Sequence, residues 1–236
     1  MEISISLPLG LGYKVNNCKM KEQLEAEVFC DPFPLMVINN FYNEKELKLI
    51  WKELDFYTEP NKLLDAEEYG GVVGFTNAKA LLLDEIYKKS KDGKTNLRNI
   101  SNILTVNRKL FHSGVLEEYA KIHDCVGLAN KTNWDITKVR YYHDGEYYDP
   151  HTDSPFQFLA FSYFYREPKK FKGGDLEFPK YDFKLPCDNN SMVIFPGWVE
   201  HGVRKVKIKD SDYFDGWGRY AITSFFGCKE KNAKLL

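Results

Sequence analysis

The sequence has almost no net charge, no long apolar run, no repeat and no paired cysteine motif, and each shortage removes a class of function. With 33 basic against 34 acidic residues the formal charge is −1, too small a net field to draw in nucleic acid or an anionic membrane, although local patches stay open. No stretch reaches the roughly 18 to 20 apolar residues of a membrane helix, so no membrane partner is expected. The opening MEISISLPLG has no basic segment followed by a long apolar run and does not read as a signal peptide, so a cytoplasmic location is expected. Five cysteines, Cys18, Cys30, Cys125, Cys187 and Cys228, are odd in number and widely spaced, without a C-x-x-C pair for zinc or redox chemistry. Reduced, mostly buried thiols are expected.

What is abundant is aromatic surface. Seventeen Phe and fifteen Tyr in 236 residues must fill a wide interior or line a cleft. This length suits one large domain over 1–236. Residues 1–130 are expected to be mainly helical support with a strand near 33–39, and residues 131–230 to form a strand-rich core.

Periodicity supplies the elements. Residues 31–40, DPFPLMVINN, are an apolar run between prolines and asparagines and read as a strand. A helix follows, with Asn43 as cap, Glu46 three residues on, and Leu47, Ile50, Trp51 and Leu54 on one stripe. Segments 77–89 and 113–123 read as further helices, the second capped by Ser113, and the polar SKDGKTNLRN between them as a mobile loop. From 136 onward, runs rich in Val, Ile, Phe and Tyr alternate with Gly, Pro and Asp. Strands are expected at 136–142, 157–165, 174–178, 191–195, 202–207 and 219–226. Helices first and strands afterwards predict an α+β fold whose β half closes into a sandwich or barrel.

The chemistry concentrates in that half. His151 and Asp153 stand two apart, so on an extended segment both side chains share a face and one ion can take both. His201 follows a strong buried-strand signal and offers a second imidazole. Two imidazoles and a carboxylate suit a non-haem iron(II) centre with open positions, and a zinc hydrolase can use the same atoms. Arg219 opens the last strand, where a buried guanidinium is costly unless an anion pairs with it, and its planar fork matches a carboxylate. His112, His123 and His143 lack partner ligands and read as surface or capping residues. In VRKVKIKD the basic residues alternate with Val203, Val206 and Ile208, as on a solvated strand face.

The run from Tyr142 to Asp153, YHDGEYYDPHTD, resembles the Y-x-x-G-x-x-Y-x-P-H-x-D motif of prolyl 4-hydroxylases within the iron(II)/2-oxoglutarate-dependent dioxygenases. Gly173-Gly174-Asp175-Leu176-Glu177-Phe178 resembles the family's G-G-x-L-x-F turn, Phe195-Pro196-Gly197 through His201 the stretch with the distal ligand, and Arg219-Tyr220-Ala221-Ile222-Thr223 the cosubstrate strand of the oxygen-sensing members. The likeness is good over 136–228 and loose over 31–56. It implies a double-stranded β-helix (jelly-roll) core with N-terminal supporting helices, an Fe(II) site of His151, Asp153 and His201, and Arg219 on the distal carboxylate of 2-oxoglutarate. Tyr163 is implied beside Arg219 and Tyr142 in the same pocket. Dioxygen is the second cosubstrate, ascorbate a supporting reductant, and a prolyl residue of a protein or peptide the implied target.

Arg219 lies 18 residues beyond His201, longer than the family's gap, which makes KIKDSDYFDGWG an inserted loop. Asp153 argues against the halogenating relatives, which carry a small residue there. Phe225, six positions after Arg219, stands where nucleic-acid repair relatives have a second Arg, so no nucleic-acid substrate is expected. Two rivals stay open at this point: a hydroxylase of a free amino acid or small metabolite, differing in loops such as 58–76 and 208–218, and a cupin-like binding module without turnover.

Overall fold

The computed structural model describes residues 16–19, 24–59, 62–69, 74–87, 97–209 and 212–228. Strands β1 (Asn16–Lys19), β2 (Glu25–Phe29) and β3 (Leu35–Ile38) lead into helix α1 (Glu44–Thr58), and β4 (Lys79–Leu82) runs into the short α2 (Leu83–Ile86). Helices α3 (Asn102–Val106), α4 (Lys109–His112) and α5 (Val115–Tyr119) precede the strand-rich half. That half holds β5 (Trp134–Tyr142), β6 (Tyr148–His151), β7 (Phe158–Phe164), β8 (Phe171–Lys172), β9 (Leu176–Phe178) and β10 (Phe183–Leu185). It closes with β11 (Ser191–Pro196), β12 (His201–Val203), β13 (Lys207–Ile208) and β14 (Arg219–Gly227).

Eight strands form a major sheet in the order β1-β2-β3-β11-β7-β14-β5-β4, and four form a minor sheet, β10-β9-β12-β6. Every pairing is antiparallel, and the result is the expected α+β jelly roll. The major sheet is apolar on both faces, and side-chain alternation sorts its residues between two cores. Along β7, Phe158, Ala160 and Phe164 face the helices, while Leu159, Phe161 and Tyr163 face the minor sheet. On β14, Tyr220, Ile222 and Phe226 take the helix side, and Ala221 and Phe225 the inner side. The inner face is therefore where a ligand between the sheets must be met.

Helix α1 covers the other face. Asn43 accepts from the amides of Lys45 and Glu46 and Glu46 returns to the Asn43 amide, the anticipated capping box. Ile50, Leu54 and Tyr57 enter the helix-side core, and Trp51 packs edge-on against Tyr220 at 5.3 Å. Glu53, 7% exposed, accepts from Ser101 Oγ at 2.7 Å and the Ile103 amide at 2.9 Å, which fastens α1 to the start of α3. Glu53→Ala strands both donors, and we expect it to lower unfolding free energy by about 2–3 kcal/mol in urea titrations.

Several elements differ from the sequence reading. Segment 77–89 is not a helix throughout: β4 pairs with β5, with Ala80 opposite Arg140 and Leu81 opposite Val139, and among its described residues, which end at 87, only Leu83–Ile86 coils. The open edge of β5 supplies ladder hydrogen bonds that outweigh the helix propensity of the Ala-Leu run. Ser113 does not cap the third helix; it ends α4, and Gly114 at φ 85° begins α5, which stops at Tyr119. The expected strand 202–207 is two pieces, β12 and β13, because the chain at 204–206 bends to meet the Gly173-Gly174 turn, with Gly174 N–H donating to Arg204 O. Val203, Val206 and Ile208 are nonetheless buried and the basic residues between them exposed. Strands β1, β2, β6, β8 and β10 went unread, so the N-terminal half adds sheet as well as helices. Of the polar segment 90–99, expected as a mobile loop, residues 90–96 lie outside the described residues, as do the first fifteen, and the remainder enters a 3-10 turn, Leu97–Ile100.

The thiols are less buried than expected. Cys187 is buried and Cys30 half-buried, but Cys125 sits on a surface 3-10 turn and Cys228 at the exposed end of β14; the side chain of Cys18 is outside the described residues. His112 is exposed and His123 caps a turn, its Nδ1 accepting from the Cys125 amide. His143 departs from the surface reading, half-buried beside Tyr141 and Tyr213 with ring centroids 6.1 and 5.5 Å away. Tyr213 brings part of the 208–218 insertion down onto the fold as a 3-10 turn, Tyr213–Asp215.

Candidate metal centre and anion pocket

Sheet pairing brings His151 and His201 together. On the adjacent strands β6 and β12 the two residues are direct partners in register, and the next residue, Gly202, passes so close to β6 that an added Cβ would stand 2.9 Å from Tyr148 O. Asp153, just past β6, is held by a second close approach. Its amide donates to Gly197 O at 2.8 Å, and a Cβ on Gly197 would lie 2.6 Å from Asp153 O and 2.3 Å from Phe156 O. The Phe195-Pro196-Gly197 turn thus grips the loop that carries the carboxylate.

The three side chains converge. Asp153 Oδ2 lies 3.7 Å from His151 Nε2 and 3.4 Å from His201 Nε2, and one ligand atom from each residue falls within 4.8 Å of the others. His151 Nδ1 is 2.9 Å from Asp149 O and His201 Nδ1 2.9 Å from Val199 O. A carbonyl only accepts, so both Nδ1 atoms carry the proton and both Nε2 lone pairs point toward Asp153. These orienting carbonyls, each two residues before its histidine, could not be read from the sequence. Tyr148 stacks on His151 with centroids 3.9 Å apart.

The electrostatics suit a cation. Burial and the neighbouring His201 push the His151 pKa down to about 4, which keeps the imidazole neutral. Burial alone would raise Asp153, but the two histidines beside it outweigh that and hold the carboxyl below its ordinary value. His201 is 1% exposed, and its Nε2 has no hydrogen-bond partner among the described residues. A buried lone pair without a donor is costly unless a ligand takes it, so the donor set and this orphaned atom fit a divalent metal.

Arg219 makes a second, anion-seeking site on the inner face. Its side chain is 0% exposed, and none of its Nε, Nη1 and Nη2 atoms has a hydrogen-bond partner among the described residues. The guanidinium lies between two rings, 4.7 Å from the centroid of Tyr142 and 4.8 Å from that of Tyr163, and the buried Tyr163 hydroxyl is equally unpartnered. Burial would lower the Arg219 pKa, yet Cys187, Tyr142 and Tyr163 beside it carry it above the ordinary value, so the charge stays. Buried donors with no acceptor fit a carboxylate. Tyr142 joins the two sites, because it also lines the narrow pocket walled by His151, Asp153, His201 and Phe161. A wider groove is lined by Asp149, Lys172, Asp175, Glu177, Arg204 and Lys205 among others, and contains the ion pair of Arg204 with Glu177 at 2.6 Å.

The Gly173-Gly174 turn makes room for the guanidinium. Gly174 has φ 75°, and a Cβ there would meet Arg219 Cδ at 2.7 Å. Gly145 has a similar φ of 79° but open space around it. We expect Gly174→Ala to cost about 2–4 kcal/mol in denaturant titrations, and Gly145→Ala about 1 kcal/mol, the backbone strain alone.

The structure therefore brings together His151, Asp153 and His201 at one point, and Arg219, Tyr163 and Tyr142 at another. The sequence reading missed Cys187, which reaches Arg219 from a distant loop, and Lys138 and Arg140, which line the pocket beside Tyr142.

Residues 137–227 match the family model described as 2OG-Fe(II) oxygenase superfamily. No curated protein sequence matches the chain. Among solved structures, a prolyl-4-hydroxylase of Pseudomonas putida is 14% identical with a TM-score of 0.51, over 84% of this chain and 95% of that one. A Trichoplax adhaerens prolyl hydroxylase in complex with a peptide fragment of the hypoxia inducible factor oxygen degradation domain is 14% identical with a TM-score of 0.52, over 81% and 82%. At these identities the likeness is one of fold.

Proposed function

We propose that the chain, whose residues 137–227 match the model of the 2OG-Fe(II) oxygenase superfamily, is an iron(II)- and 2-oxoglutarate-dependent dioxygenase that hydroxylates a prolyl residue of a protein or peptide. The observation that carries the catalytic reading is the convergence of two imidazoles and one carboxylate in a pocket whose wall includes Tyr142, the ring on which a buried, unpartnered guanidinium lies. A binding module without turnover has no need of a metal site and a carboxylate site joined by one tyrosine, Tyr142. The prolyl target is supported by the run from Tyr142 to Asp153 and by the fold shared with two prolyl hydroxylases.

His151, Asp153 and His201 hold iron(II), and Arg219 with the Tyr163 hydroxyl receives the distal carboxylate of 2-oxoglutarate. With dioxygen, these groups supply the oxidising power to hydroxylate an unactivated C–H bond, releasing succinate and carbon dioxide. The protein's own part is positioning and the exclusion of water. Asp149 O and Val199 O keep each imidazole in the tautomer that presents Nε2. Tyr142 and Tyr163 fix the plane of the Arg219 guanidinium from both sides and leave its edge for a bidentate contact. Phe161 and Phe225 give the pocket an apolar wall.

The test is succinate formation from 2-oxoglutarate with iron(II), with ascorbate present, together with mass spectrometry of host proteins incubated with and without the enzyme. The expected result is iron-dependent succinate, lost in His151→Ala, and a gain of one oxygen on proline. Iron-dependent succinate with no hydroxyproline would refute the prolyl target, and equal succinate from wild type and His151→Ala would refute the oxygenase.

A further inference from the structure

The inner face of β5 presents residues 138, 140 and 142 toward the pocket, and two of the three are cations. Register places Lys138 opposite Thr223, Arg140 opposite Ala221 and Tyr142 opposite Arg219 on β14, so Lys138, Arg140 and Arg219 run in a row along one face of the major sheet. Lys138 and Arg140 line the same pocket as His151, Asp153 and His201. Neither has a carboxylate within ion-pair distance among the described residues. Arg140 is 4% exposed, and its one side-chain hydrogen bond among the described residues is from Nη1 to the Tyr69 hydroxyl at 2.9 Å. Its guanidinium lies 4.4 Å over the Tyr148 ring, whose other neighbour is the imidazole of His151. Lys138 Nζ lies 5.1 Å from the Tyr69 ring and 5.4 Å from the Phe225 ring, and the charge acting on it besides Arg140 is that of Asp153.

A buried guanidinium with most of its N–H groups unused and a half-buried ammonium beside it repel each other, and burial with this repulsion takes Lys138 down to about 8. Aromatic faces offset only part of that cost. The charge balance points the same way: a divalent metal and a dianionic cosubstrate cancel, which leaves three cations against the single carboxylate of Asp153.

Resting on the oxygenase reading above, we infer that Arg140 and Lys138 form a second anion subsite, which binds a carboxylate carried by the substrate next to the carbon that is hydroxylated. For a peptide the carboxylate is an acidic side chain flanking the target; for a free amino acid it is the substrate's own. Both sources present the same chemistry to the same two side chains, and Arg219, deeper and flanked by Tyr142 and Tyr163, stays reserved for the cosubstrate.

Binding to protein loaded with zinc(II) and 2-oxoglutarate, which does not turn over, tests this by calorimetry without relying on activity. The probes are prolyl peptides identical except for Glu or Gln on either side of the proline, and the pair L-proline and L-prolinamide. The charged member of at least one pair is expected to bind about tenfold or more tightly. Arg140→Gln, checked for folding by circular dichroism, should remove that preference, Lys138→Met should reduce it, and Arg140→Lys should retain part. Discrimination in the peptide pairs makes the anion a flanking acid, and discrimination in the proline pair makes it the substrate's own carboxylate. Equal affinities in every pair, including no binding at all, or a preference that survives in folded Arg140→Gln, would overturn the inference. Succinate formation with no charge preference would sink this subsite and leave the oxygenase standing; a charge preference without iron-dependent succinate would do the reverse.

Discussion

Replacing Arg219 by Met raises the melting temperature of the metal-free protein and abolishes its stabilisation by 2-oxoglutarate. Both effects come from one fact, that the guanidinium is 0% exposed and its nitrogens have no partner among the described residues. Charge taken out of water without a counter-charge destabilises the fold, and a long, flexible thioether fills similar space without that cost. A gain of about 1–2 kcal/mol, roughly 3–6 °C for a chain of this size, is expected in buffer free of dicarboxylates. The wild type, by contrast, should gain stability from 2-oxoglutarate in proportion to the logarithm of its concentration. In kinetics the same variant should raise KM for 2-oxoglutarate by about 30-fold to several thousandfold, the equivalent of 2–5 kcal/mol for truncating one partner of a buried charge pair. A destabilised Arg219→Met protein that still responds to 2-oxoglutarate would mean that Arg219 is a packing residue and the anion binds elsewhere. Differential scanning fluorimetry with and without the cosubstrate separates the cases.

Asp153→Asn is expected to have the largest effect on the metal. The substitution keeps the volume and removes the only anionic ligand, whose oxygen stands 3.4 Å from one Nε2 and 3.7 Å from the other. Loss of an outer partner of a ligand already costs about 10- to 100-fold in metal affinity, so loss of the ligand's charge should exceed about 100-fold and take succinate formation with it. Metal content after gel filtration, measured by mass spectrometry, gives the first number, and circular dichroism shows whether the fold is intact. Retention of stoichiometric iron would show that the carboxylate is not a ligand.

How much of this was readable from the amino acids depends on the range over which each feature is decided. His151 and Asp153 were legible because a spacing of two fixes a shared face on any extended segment, and α1 because its cap and stripe lie within a dozen residues. Arg219 was legible as an expensive residue in an apolar strand. The strand β4 was misread because its partner, Val139 opposite Leu81, is far along the chain, and nothing local announces an open sheet edge. Lys138 and Arg140 fall in the expected strand 136–142, where local alternation does not say which face is the inner one. Their true direction emerges only once β14 and β4 flank β5 and the alternation of Val139 and Tyr141 toward the helices is known. Cys187 came to Arg219 through tertiary packing, which leaves no mark in spacing.

The two histidines are held by their sheet to different degrees. His201 stands on β12, which is hydrogen-bonded on both sides, by β9 and by β6, whereas His151 stands on β6, the last strand of the minor sheet. On its outer side β6 meets no further strand of that sheet and is held by the Asp149 amide to Phe75 O, the bridge of Thr76 with Tyr148, and hydrogen bonds of Tyr147 with Thr76 and Asn77. Backbone with few partners opens at lower free energy than backbone in the middle of a sheet. The centre therefore draws one imidazole from a strand paired on both sides and the other from a strand paired on one, so a bound ion would give the edge strand a tie that the sheet supplies to it only from within.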